Sequence, residues 1–158
     1  LQKMLAAKNF QAGMFVMRQL EFALFDLRLH MNYNPAAPQS VQSVLNAVRE
    51  EVAVVKAPSW NRFQHGFAHI FAGGYASGYY SYLWAEVLAA DVFSRFEDEG
   101  IFNPATGAAL WAQITGQGGS HDAMTLFTQF MGREPSVDAL MRHKGLANSL
   151  GQGQRHES

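Results

Sequence analysis

Residues 1–32, LQKMLAAKNFQAGMFVMRQLEFALFDLRLHMN, decide the fold class of this chain. Apolar side chains recur along them at three- and four-residue steps, with polar residues such as Lys8, Arg18 and Glu21 in between. This spacing is typical of an amphipathic helix. No proline interrupts the stretch, and Gly13 costs a helix about 1 kcal/mol relative to alanine. We therefore predict one long helix, whose Met- and Phe-rich stripe faces a core or, as the lesser alternative, a partner groove.

The remainder of the chain continues the helical pattern and predicts an all-α fold. Ser40 can cap a helix that ends near Lys56, because Pro58 disfavours helical backbone just before it. No segment alternates apolar and polar side chains as a half-buried strand does, and no domain boundary is indicated within residues 1–145. The predicted helices cover residues 1–32, 41–56, 80–99 (ended by Gly100), 104–115 (opened by Asn103 and Pro104), 121–131 (capped by Ser120) and 135–145.

Composition and charge exclude several classes of protein. The chain has 158 residues, 48% apolar and 16% charged, so it can bury a substantial core. A net charge of −1 argues against nucleic acid as a partner, because phosphate binding needs clustered positive charge. The absence of cysteine excludes disulfides and thiolate zinc sites, and no apolar run reaches the roughly 18 residues of a membrane span. Because the chain opens on Leu1 without an initiator Met, we expect it to come from the middle of a longer polypeptide.

Residues 60–82 combine aromatic rings with four glycines and indicate a loop that runs into a helix. The Gly73-Gly74 pair, followed by Gly78, is poor helix material. Tyrosine hydroxyls are neutral at pH 7 and can donate a hydrogen bond to a developing oxyanion, and a glycine-rich loop can move when substrate binds. From composition alone, buried core or interface tyrosines are the more common interpretation.

His65 and His69 are four residues apart and would share one face of a helix, as zinc ligands do. However, position 66 is Gly, whereas the zinc-peptidase motif His-Glu-x-x-His needs Glu there as its general base. We therefore favour two structural or substrate-facing histidines over a zinc pair. No Gly-x-Ser-x-Gly motif supports a serine nucleophile.

Residues 67–86, FAHIFAGGYASGYYSYLWAE, closely resemble the C-terminal region of the thimet-oligopeptidase family of zinc peptidases, and in particular its bacterial oligopeptidase A subgroup. The resemblance covers roughly residues 1–146, and its motifs occur in the family's order and spacing. Further matching motifs lie at residues 4–10, 18–21, 93–96, 99–103, 118–120 and 130–135.

The resemblance implies an all-α, two-lobed, cytoplasmic peptidase that cleaves short peptides inside a deep channel. Its single zinc is held by a His-Glu-x-x-His helix and a downstream Glu, and neither motif occurs in this chain. We therefore expect the metal ligands and the general base to lie upstream of Leu1, with none within this chain. Residues 1–146 would be the helical C-terminal portion of the catalytic domain, inactive when isolated. Residues 147–158 depart from the family pattern, and we expect a disordered tail there.

The resemblance also assigns roles to individual residues. Tyr82 matches a tyrosine that stabilises the oxyanion, assisted by His69 and Tyr75, and His69 contacts the peptide near the scissile bond. Tyr79 matches a tyrosine that contacts substrate, whereas His65 has no matching role. The flexible loop that lets these rings reach the substrate contains Gly73, Gly74 and Gly78. The alternative to this peptidase interpretation is a non-catalytic helical interaction module that keeps the family fold and binds a partner through the Met/Phe stripe.

Overall fold

The computed structural model describes residues 1–147, and within that range it contains helices and no strand. The all-α prediction is confirmed. The predicted disordered tail lies outside the described residues, apart from Ala147. The α-helices are α1 (Gln2–Asn9), α2 (Ala12–Met31), α3 (Val41–Val52), α4 (Ser81–Glu99), α5 (Pro104–Leu110), α6 (Ala123–Met131) and α7 (Asp138–His143).

The predicted continuous helix over residues 1–32 is wrong, because the chain breaks between α1 and α2. Gln11 adopts left-handed backbone, with φ of 54°. Because the residue is neither proline nor glycine, its type does not predict a helix break. The prediction of a core-facing stripe holds for α2 alone, where Phe25 and Leu29 are buried. In α1 no side chain is buried. The apolar Met4 of this helix and Phe10, just after it, are each 74% exposed.

The described chain forms two compact units, residues 1–83 and the residues from Trp84 onward. In the first unit, α2 packs on α3 and on the glycine-rich segment, residues 60–80, that lies between α3 and α4. Burying these apolar side chains stabilises the unit by about 25 cal/mol per Å² of surface removed from water. The buried core consists of Phe25, Leu29, Leu45, Val48, Phe67 and Ile70.

A buried ion pair connects α2 to α3. Glu21 and Arg49 are 2% and 8% exposed, and Arg49 Nε donates to Glu21 Oε1 across 2.8 Å. Arg49 also donates to Asn61 Oδ1, which in turn accepts the N–H of Phe63. Removing one partner of such a pair leaves an uncompensated buried charge. The pair therefore fixes the start of the glycine-rich segment against both helices.

The capping predictions are partly confirmed. Ser40 caps α3 by accepting the N–H of Ser43, and Asn103 caps α5 by accepting that of Ala105. The cap of α6 is Asp122 rather than Ser120, since its carboxylate accepts the N–H of Thr125. A carboxylate is also favoured over a hydroxyl at a helix N-terminus by the helix dipole.

Several predicted helix boundaries differ from the structure. The helix after Ser40 ends at Val52, where Ala53 turns to extended backbone. The helix that opens at Pro104 changes to a π-helical turn over Trp111–Thr115. The last helix begins at Asp138 rather than at Pro135.

The second unit is held together by a buried carboxylate on α4. Asp91 is 1% exposed, and it accepts hydrogen bonds from Arg133 Nη1 at 2.8 Å and from the N–H of Ser136 at 2.7 Å. These bonds tie the segment after α6 to α4. The apolar core of this unit consists of Val87, Ala90, Leu126, Phe127, Phe130 and Ala139. Among the helices described, none combines the length and hydropathy needed to cross a membrane.

Candidate active-site wall

The glycine-rich segment forms two short 3₁₀ turns, Phe63–His65 and Ala68–Ile70, and then a loop that enters α4 at Ser81. The prediction of a loop running into a helix is confirmed. Phe67 and Ile70 are buried in the first core. Because they flank His69, they hold its backbone against the rest of the unit.

Four side chains predicted to form the site come together in one cluster of rings. The His69 ring centroid lies 5.2 Å from that of Tyr75, 5.3 Å from that of Tyr79 and 6.0 Å from that of Tyr82. These distances fall within the range of favourable aromatic contacts. Tyr80 is 48% exposed and makes no ring contact with the cluster in the described part of the chain.

Tyr75 and Tyr82 are the two solvent-facing phenols of the cluster. Their rings stack at a centroid distance of 5.5 Å with 21° between the planes, and they are 38% and 42% exposed. The pKa of Tyr82 is raised above its usual range, mainly by the neighbouring Tyr75 hydroxyl and to a smaller extent by desolvation. The Tyr82 phenol is therefore neutral near pH 7 and can donate a hydrogen bond.

Tyr79 has a different environment. Its hydroxyl donates to Gln19 Oε1 across 2.9 Å, and its ring packs edge-on against Phe67 at 5.0 Å. Burial raises the pKa of Tyr79. Because the Tyr79 O–H already donates to Gln19, it is not available to a ligand. The Tyr79 oxygen still has a lone pair that can accept a hydrogen bond.

The predicted loop glycines are required by backbone geometry at two positions. Gly73 and Gly74 have φ of 73° and 76°, a conformation that costs side-chain-bearing residues free energy. A Cβ at Gly73 would also lie 3.2 Å from Cδ2 of Tyr75, whereas one at Gly74 would meet nothing within 4 Å. Gly78 closes the turn by donating its N–H to the carbonyl of Tyr75 across 2.8 Å.

The sequence interpretation missed Asp26, which contacts this loop from α2. Its carboxylate is fully buried and accepts the N–H groups of Ser77 and Tyr79. One signal could have revealed it. Asp26 follows Phe22 by four residues and precedes Leu29 by three, so it occupies a position in the apolar stripe of α2.

The cluster does not have the composition of a metal site. Residues 1–147 include no group of three or more His, Cys, Asp or Glu side chains able to hold a metal ion. His65 and His69 lie on separate 3₁₀ turns, so the shared helical face that a zinc pair would need does not form. Three phenols and one imidazole are suited to donating and accepting hydrogen bonds.

Comparison with known proteins identifies the family of this chain. Residues 1–146 match the family model described as Peptidase family M3. The chain belongs to this family, which confirms the resemblance seen in its motifs.

Several relatives of the chain carry the name oligopeptidase A. The chain is 58% identical to oligopeptidase A of Escherichia coli (strain K12) over 146 residues, which are 92% of the chain and 22% of that protein. It is 57% identical to oligopeptidase A of Salmonella typhimurium, with the same coverage of 92% and 22%. Organellar oligopeptidase A, chloroplastic/mitochondrial, of Arabidopsis thaliana is 47% identical over 149 residues, covering 92% of the chain and 19% of that protein. The chain thus spans about a fifth of the length of these relatives.

Proposed function

We propose that this chain forms one wall of the active site of an oligopeptidase, where it binds short peptides and stabilises the oxyanion formed during hydrolysis. The observation that carries the proposal is the stacked Tyr75–Tyr82 pair, in which a neutral, half-exposed phenol lies beside the imidazole of His69. Membership of Peptidase family M3 and relatives named oligopeptidase A support it.

Tyr82 is the oxyanion donor in this proposal. When the carbonyl of a peptide is attacked, its oxygen gains negative charge, and a preorganised hydrogen-bond donor lowers the barrier. A phenol with the usual pKa of about 10 keeps its proton near pH 7, and the pKa of Tyr82 is shifted further in the same direction. The ring of Tyr75 stacks on that of Tyr82 and orients it, and His69 contacts the peptide near the scissile bond.

Tyr79 and the glycine loop bind substrate in this proposal. The Tyr79 hydroxyl already donates to Gln19, so its oxygen accepts an N–H of the peptide. Gly73, Gly74 and Gly78 leave the backbone of the loop without side chains, and the peptide can approach it closely.

The family resemblance implies one zinc ion and a carboxylate general base that together activate water, both on a part of the polypeptide outside these 158 residues. The described residues offer no ligand set for the ion, and the roles assigned to this chain involve its own side chains alone. The isolated chain is therefore proposed to be inactive, and residues 1–146 to be the helical C-terminal part of a cytoplasmic enzyme.

The remaining part of the same polypeptide is the proposed partner of this chain. Met4 and Leu5 on α1, Phe10 in the turn after it and Met14 at the start of α2 are exposed. Apolar patches of this kind usually mark surfaces that another element covers. The same surface is the observation that favours the alternative, a non-catalytic interaction module, in which it binds a separate protein.

The test is Tyr82→Phe in the full-length polypeptide, assayed by steady-state hydrolysis of a short peptide. Loss of one oxyanion donor is expected to lower kcat by about 10²–10³. Tyr80→Phe is the matched control, because Tyr80 is a neighbouring, half-exposed tyrosine outside the cluster. Equal turnover of the Tyr82 variant and the control would overturn the proposal, and absence of hydrolysis by the unsubstituted polypeptide would favour the interaction module.

A further inference from the structure

Asp26 is a buried carboxylate whose hydrogen-bond acceptors are directed to the loop between Tyr75 and Tyr82. No part of Asp26 is exposed. Its Oδ1 accepts the N–H of Ser77 across 3.1 Å, and its Oδ2 accepts the N–H of Tyr79 across 3.0 Å. Hydrogen bonds from N–H groups to an ionised acceptor are roughly twice as strong as neutral ones. One side chain on α2 therefore holds two backbone positions of the loop.

These bonds account for the loop's least favourable backbone conformation. Ser77 has φ of 59°, in the left-handed region that residues with a Cβ rarely adopt. The N–H of Gly78, between the two anchored groups, donates to the carbonyl of Tyr75. All three successive N–H groups thus have partners, and the two outer ones depend on Asp26.

His30 holds the carboxylate from the other side. Its Nδ1 lies 2.8 Å from the backbone carbonyl of Asp26 and 3.3 Å from Asp26 Oδ1. Both neighbours are acceptors, so Nδ1 must carry the proton. The imidazole also packs edge-on against Phe71, at a centroid distance of 5.7 Å.

The anchored backbone leads directly to the proposed oxyanion donor. The N–H of Tyr82 donates to the carbonyl of Tyr79, and that of Ser81 to the carbonyl of Gly78. The first turn of α4 is therefore built on the residues that Asp26 holds. A shift of this turn would move the Tyr82 hydroxyl relative to Tyr75 and His69.

We propose that Asp26 is a positioning residue for peptide hydrolysis: it fixes the backbone from Ser77 to Tyr79 and thereby sets the place of the Tyr82 hydroxyl. This inference rests on the proposed function. Asp26 itself is fully buried and does not touch substrate. It acts through Tyr82, and we therefore expect its main effect on kcat.

The test is Asp26→Asn in the full-length polypeptide. Asparagine has the same shape but replaces one acceptor oxygen by an amide NH₂, so one of the two loop N–H groups loses its partner. We expect kcat to fall about tenfold to 100-fold, as for a small misplacement of a catalytic group. KM should change less than kcat, because the interaction of Tyr82 acts in the transition state, whereas Gly78 and Tyr79 also contact substrate in the ground state. Amide hydrogen exchange at Ser77 and Tyr79 should become faster.

Three further variants separate positioning from loss of stability. Asp91→Asn removes an equally buried carboxylate that also accepts a backbone N–H, but in the second unit, and it should leave kcat unchanged. The double variant Asp26→Asn/Tyr82→Phe should be no slower than Tyr82→Phe alone, because both changes remove the same stabilisation. If Asp26→Asn gives little folded protein, His30→Ala is the second test with the carboxylate retained, and the same kcat-selective loss is expected.

The outcomes distinguish the two proposals. If Tyr82→Phe lowers kcat but Asp26→Asn and His30→Ala do not, the positioning role is overturned and the proposed function stands. Additive losses in the double variant would also overturn it, since Asp26 would then act independently of Tyr82. If Tyr82→Phe itself has no effect, the proposed function fails and the positioning role fails with it.

Discussion

The Tyr79 hydroxyl donates a hydrogen bond to Gln19 Oε1 across 2.9 Å. Its ring lies 5.1 Å from that of Tyr82 in the same cluster. Neighbouring phenols thus differ in what they can do. The Tyr79 proton is held by an amide on α2, while Tyr82 is half exposed and paired with Tyr75. Ring contact alone does not make a tyrosine an oxyanion donor.

We expect Tyr79→Phe to have a much smaller effect on turnover than Tyr82→Phe. The ring contacts with Phe67 and His69 are retained, and the lost hydrogen bond to Gln19 should lower the free energy of unfolding by about 1 kcal/mol. Steady-state kinetics and urea unfolding of the variant measure the two effects. A fall in kcat as large as that of Tyr82→Phe would show that the Tyr79 proton is used in the reaction.

The helical class could be predicted from residue types at short spacing, whereas the roles of the ring-cluster residues His69, Tyr75, Tyr79 and Tyr82 were implied by the family resemblance. Three features could not be read in the same way. Gln11 breaks the first helix without a proline or glycine. Asp26 belongs to the site through backbone groups at Ser77 and Tyr79, about 50 residues further along the chain. The cap of α6 is Asp122, two residues beyond the predicted Ser120, and local propensity does not separate such residues.

Substitution of the paired glycines should separate backbone strain from displacement of Tyr75. Gly73→Ala and Gly74→Ala place a Cβ at nearly the same positive φ, and each should cost about 1–2 kcal/mol of stability. The Gly73 variant alone also brings its Cβ to 3.2 Å from the Tyr75 ring. We expect Gly73→Ala to lower kcat more than Gly74→Ala, by about tenfold. Equal turnover of the two variants would contradict a role for the position of Tyr75.

The Asp91–Arg133 pair predicts a pH dependence of stability in the second unit. Hydrogen bonding to Arg133, which outweighs the opposing effect of burial, lowers the pKa of Asp91. A carboxyl with a lower pKa in the folded state stabilises the fold above its unfolded pKa, and the contribution is lost as the pH falls through the folded value. Asp91→Asn should therefore be less stable than the unsubstituted chain by about 1–3 kcal/mol near pH 7. The difference should shrink as the pH falls below about 4. Urea midpoints across this range measure it, and a constant difference would show that the ionised form of Asp91 contributes nothing.

Zinc binding by the isolated 158-residue chain tests whether the metal ligands lie elsewhere in the polypeptide. Residues 1–147 contain no group of three candidate ligands, and His65 and His69 alone give two imidazoles on separate turns. Structural and catalytic zinc sites in proteins use three or four protein ligands. We therefore expect equilibrium dialysis and metal analysis to find well under one zinc per chain at micromolar zinc, with no change in His65→Ala/His69→Ala. One tightly bound zinc per chain that the double variant loses would mean that these two histidines form a metal site after all.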